Sequence, residues 1–156
     1  MSELKEIREK ALVNIKAIVK ENKEKIEDAY KMVMMLELIA RREGLLALEC
    51  EAEFIPKDTP LCNELIEMIE LIVDGTEPQM FEELMTIKFF AMYDYKGIEP
   101  LLYFLYARSM LMIQAGTSPL IIEQLFNAVI PNTLIATIPI ANHTNFTSPI
   151  NINRRE

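Results

Sequence analysis

The sequence predicts an all-α protein, a bundle of about five to six helices with helical hairpins and an irregular extended C-terminal tail. Three observations carry this. Apolar residues recur at helical spacing over most of the chain, the few glycines and prolines stand between those stretches, and the last 25 residues change character altogether. Residues 1–131 read as one helical domain, long enough for a core of its own, with a long N-terminal helix over 2–28 and a helical core over 29–131; residues 132–156 form the tail.

From Glu3 to Ile39 the apolar positions Leu4, Ile7, Ala11, Ile15, Ile18, Ile26, Tyr30 and Val33 lie on one helical face, with charges opposite. No Pro or Gly interrupts before Gly44. The polar run Lys20–Lys25 is either a break between two helices or the solvated face of a single one. The run Met32, Met34, Met35 reads as core, with a partner groove as the alternative use of such soft side chains. Residues 55–60, with two prolines and an Asp, form a connector. A helix over Leu61–Val73 follows, with Leu65, Ile69 and Ile72 inward and Glu64, Glu67 and Glu70 outward; Asp74-Gly75 ends it. Further helices are expected from Glu77 or Pro78 to Met92, from Glu99 to Gln114, and from Pro119 to Val129, with a turn at Asp94–Gly97.

One pattern occurs twice. Gly75-Thr76-Glu77-Pro78 with Glu82 and Leu84, and Gly116-Thr117-Ser118-Pro119 with Glu123 and Leu125, share a Gly to end one helix, a Thr or Ser to cap the next, and a Pro for its first turn. The repeat reflects either an old duplication or the same turn chemistry arising twice. Beyond Pro131 the segment Thr133–Ile140 is apolar, β-branched and broken by Pro139, which suits an extended chain lying on the bundle or on a neighbouring subunit.

The composition narrows the function. The net charge of −8 is concentrated in residues 32–100, which hold 5 basic and 15 acidic groups. This argues against nucleic acid, which requires a basic surface. It suits a basic protein partner or serves solubility alone. Cys50 and Cys62 lack the close spacing of a zinc site and read as free thiols of a cytoplasmic protein. Met1–Lys10 is charged and has no signal-peptide pattern. No stretch approaches the roughly 20 apolar residues of a membrane span; Leu101–Ala107 is cut off by Arg108 and reads as a buried core helix, so no membrane insertion is expected.

Catalytic, metal and cofactor residues are not found. The only His, His143, lies in the tail, there is no Gly-rich phosphate loop, and Glu49-Glu51-Glu53 and Glu64-Glu67-Glu70 lack the spacing of a carboxylate metal site and read as surface. The chain is therefore expected to be no enzyme, with no cofactor.

The most distinctive stretch is Ala40-Arg41-Arg42-Glu43-Gly44-Leu45-Leu46-Ala47-Leu48-Glu49. It resembles the charged cytoplasmic segment of MotA, the flagellar motor stator protein. Two further stretches are similar in the same order, Leu71–Pro78 and Arg108–Pro119, the latter followed by Glu123 and Pro131. The resemblance covers residues 29–131. It departs from the family where the membrane helices would stand. The first pair is replaced by the charged helix 2–25, the second has collapsed to about Phe89–Leu101, and the residues lining the family's ion path have no counterpart. Ion conduction is thus not implied.

What the resemblance does imply is a partner surface. In the family an Arg and a Glu of this segment meet the rotor protein FliG, and by motif they match Arg41 and Glu49. On a continuous helix these two would lie about 80° apart in rotation and roughly 12 Å apart along the axis, with Arg42 closer to the face of Glu49. The alternative is that the charges only solvate the helix, or that Arg42 pairs with a nearby Glu. The expectation is a cytoplasmic MotA-like protein acting by protein–protein contact through Arg41, Arg42 and Glu49. Its partners would be FliG, stator subunits or copies of itself. The rival expectations are a self-assembling structural protein and a small-ligand carrier built around Tyr93, Tyr95, Tyr103 and Tyr106.

Overall fold

A computed structural model describes residues 16–92 and 97–129. A helical segment over 16–21 leads into α1 (Lys23–Glu43), followed by α2 (Ala47–Ala52), α3 (Pro60–Val73), α4 (Pro78–Met92), α5 (Glu99–Gln114) and α6 (Pro119–Val129). The described residues are all-helical, with no strand among them. The extended tail expected over 132–156, with His143, lies outside the described residues, as do Tyr93 and Tyr95.

The break expected in the polar run falls at Asn22, whose side-chain amide donates to the carbonyl of Ile18 at 2.9 Å. That bond offers the backbone an alternative to continued helix. α1 then runs unbroken through residue 28 to Glu43. Met34 and Met35 are buried and Met32 packs partly against the core, so the methionine run is core. The short α2 has no counterpart in the sequence reading, which assigns no element to 45–54.

The connector ends where Thr59 caps α3. Its hydroxyl accepts from the backbone N–H of Cys62 at 3.2 Å, and Pro60 fills the first helical position. Both repeated turns have one geometry. The N–H of Thr76 donates to Leu71 at 3.1 Å and that of Gly75 to Ile72 at 3.0 Å; Thr117 donates to Met112 at 2.9 Å and Gly116 to Ile113 at 3.1 Å. These are paired six-to-one and five-to-two closures, each with a left-handed Gly.

α5 is the hub and packs against α1, α3, α4 and α6, while α2 bridges α1 and α3. Pro100, Leu102, Tyr103, Leu105, Tyr106, Ala107, Ser109, Met110 and Ile113 are buried, a wider band than one amphipathic stripe, as a helix enclosed by others requires. Among the described residues no helix is long and apolar enough to cross a membrane. α3 and α4 are linked by charge. Lys88 of α4 reaches Glu64 of α3 at 3.3 Å and also hydrogen-bonds Glu67. Glu64 therefore does not face solvent as the periodicity suggests; its side chain is 12% exposed.

Candidate functional site

The segment that carries the resemblance makes a corner. α1 stops at Glu43 because Gly44 takes φ 92°, ψ 165°, a conformation open essentially to Gly alone. The N–H of Gly44 still donates to Ala40 at 2.9 Å, and α2 starts three residues later on a new axis. Arg41 and Glu49 thus sit on two different helices. The continuous-helix separation does not apply.

All three expected site residues are exposed, and they differ in what they touch. Arg41 is engaged within the fold: its Nε donates to Oε1 of Glu37, one turn back, at 3.0 Å. The local pairing expected as an alternative for Arg42 is made by Arg41 instead. Arg42 lies in the last turn of α1 and is exposed, as is Glu49 in the first turn of α2. Both positions favour their charges through the helix dipoles. Between them Leu46 stands with 72% of its surface exposed. Of the three glutamates read as surface, Glu49 and Glu53 are exposed while Glu51 is buried. Its spacing puts it on the inner face of α2 beside Leu48 and Ala52.

A cleft of about 310 Å³ opens at the same end of the bundle. One wall is α1 and its corner, with Glu37, Arg41 and Gly44; the other is the α5–α6 turn, with Gln114 and Thr117. Gln114 also donates through Nε2 to the carbonyl of Thr76 at 2.7 Å, tying the second repeated turn to the first. The α1–α2 corner and the two repeated turns therefore meet at one end of the molecule, although 38 residues separate Thr76 from Gln114.

Glu37, Leu46 and Gln114 escape the sequence reading. Glu37 had a signal, being a lone carboxylate inside the apolar run Met32–Ile39 and four residues before an Arg. Leu46 had none, because apolar periodicity cannot tell which side of a corner faces out. A second, apolar pocket of about 210 Å³ lies between α4 and α5, lined by Met85, Phe89, Tyr103 and Phe104, with the Glu82–Arg108 ion pair (3.2 Å) at its edge. It is an apolar cleft partly open to solvent, not an enclosed cavity. Among the described residues no group of three or more His, Cys, Asp or Glu side chains is placed to hold a metal ion. Comparison with protein-family models, with curated proteins and with solved structures gave no match.

Proposed function

We propose that the chain is a cytoplasmic, MotA-like binding protein that works by protein–protein contact through the α1–α2 corner. The observation that carries the reading is Leu46, a large apolar side chain held out at 72% exposure between the exposed charges of Arg42 and Glu49. A large apolar side chain held out of the core offers a partner surface to bury, and charges flanking it in sequence suit the polar rim of an interface. The resemblance supplies the partner class: the charged surface of the rotor protein FliG, or stator subunits. Arg41 acts by holding the end of α1 in place, since its Nε is bound to Glu37. Arg42 and Glu49 make the outward contacts.

Purified chain titrated against FliG should bind, with an affinity that weakens as salt rises. Leu46→Ser and Arg42→Glu should each weaken binding about tenfold or more, which is at least about 1.4 kcal/mol. No binding, or binding indifferent to both substitutions, removes the rotor version. A second reading, self-assembly without a motor role, draws on α4, where Met80, Ile87 and Phe90 are all half or more exposed along one face. Light scattering would then show a discrete oligomer that Ile87→Lys returns to monomer.

A further inference from the structure

Among the described residues one lane of the hub helix is left uncovered. α1, α3, α4 and α6 pack around α5, yet Leu101, Phe104, Arg108, Leu111 and Met112, spaced at one helical face, stay half-buried or exposed. Phe104 is 41% exposed. The apolar cleft of about 210 Å³ lies along this lane, with Met85 and Phe89 of α4 as its other wall. The two charges at its edge, Glu82 and Arg108, already neutralise each other at 3.2 Å. The lane therefore suits an uncharged, apolar occupant. It is separate from the outward stripe Met80, Ile87 and Phe90, which lies roughly 100–180° round α4 from Phe89.

We propose that the chain's own residues 133–140 fill this lane, laid in extended form between α4 and α5. The segment carries no charge, and when extended it puts Leu134, Ala136, Ile138 and Ile140 along one side. Those four positions span about 20 Å, against about 16 Å from Leu101 to Met112 along α5. The reach is sufficient. α6 runs back along α1, since Pro119 shares a cleft with Arg41 and Phe126 meets Tyr30 further along. It also packs on α5, and its last residue, Val129, still packs against the core. Residues 130–132 then span about 10 Å, the width of one helix. So short a tether holds the segment at an effective concentration on the order of millimolar, which favours it over a second copy in dilute solution. Residues 1–15 flank the described residues at the other end, but Glu3, Lys5, Glu6, Arg8, Glu9 and Lys10 suit an apolar lane poorly. Because the cleft is partly open, the backbone of residues 133–140 keeps water as a hydrogen-bond partner. The proposal holds whether or not the corner binds a protein.

The test replaces Phe104 of the full chain with the photoreactive p-benzoylphenylalanine, which keeps an aromatic ring in the lane. Illumination, digestion and mass spectrometry should find cross-links to residues 133–140, carried at the mass of one chain. The same probe in place of Leu46, on the corner, should give none to that segment. Leu134→Asp combined with Ile138→Asp should remove the cross-links. In the chain without the probe, the same pair should raise fluorescence of the dye ANS about threefold as the lane is uncovered, with helical circular dichroism unchanged. That dye reading decides if the probe disturbs the fold. Ile87→Lys should leave the cross-links in place, which keeps the lane distinct from self-assembly through the outward stripe. Cross-links at the mass of two chains assign the lane to a second copy, and cross-links to residues 1–15 assign it to the other end of the chain. Either result overturns the proposal, as does a folded probe variant without cross-links or an unchanged dye signal.

Discussion

Gly44 decides the shape of the candidate surface. Its backbone stands at φ 92°, ψ 165°, and a Cβ added there would meet nothing within 4 Å, so any cost of a side chain is purely conformational. Gly44→Ala should lower stability by about 1–3 kcal/mol, read as a reduced urea midpoint with an unchanged slope. An unchanged midpoint would mean that the corner can turn by another route. The sequence marks Gly44 as the first interruption after a long apolar pattern, but not where the chain goes next. The same is true of the neighbouring arginines. They look interchangeable in sequence and both are exposed, yet Arg41 is the one that bonds the buried Glu37.

At the scale of the elements, turn chemistry was readable and helix placement was not. Thr59-Pro60 and the two Gly-Thr turns act through neighbours close in sequence, and the observed α3, α4, α5 and α6 begin and end within a residue of where the pattern puts them. The role of α5 as hub depends on what surrounds it. α6 is held to α1 by Phe126, which is fully buried and meets Tyr30 edge to face at a centroid distance of 5.3 Å. Phe126→Ala should cost about 3–5 kcal/mol in chemical denaturation, because a buried ring is lost and a cavity left in its place. A loss below about 1 kcal/mol would show that α6 is not part of the cooperative unit.

At the scale of the whole molecule, two groups among the described residues link folding to alkaline pH. Burial alone would lower the pKa of Lys88, but its hydrogen bond to Glu67 and the charges of Glu64 and Glu67 outweigh this and raise it above 10.5. Burial, with the charges of Cys62 and Asp28, raises the phenol of Tyr106 above 10.0. Both groups hold their protons more tightly folded than unfolded. Their stabilising contribution is therefore complete below about pH 10 and is lost as pH rises through each folded pKa. The urea midpoint should fall as pH rises above about 10, and Lys88→Met combined with Tyr106→Phe should flatten that decline. An undiminished decline in the double variant would place the alkaline sensitivity elsewhere.

The sequence by itself determined that the described residues are helical, where four of their helices start and stop, and that none of these helices is apolar enough to span a membrane. These follow from periodicity and from the φ restrictions of Pro and Gly, which act over a few residues. Only the tertiary structure decided that Glu37 and Glu51 are buried, that Glu64 is drawn toward Lys88, and that two turns far apart in sequence are joined by Gln114. Burial of a polar group depends on which helix faces which, and such long-range pairing leaves no local pattern in the residues. The charged corner was visible in the sequence as a motif. Its exposed leucine, and the cleft behind it, exist only because the chain bends at Gly44 and α5 lies beside α1.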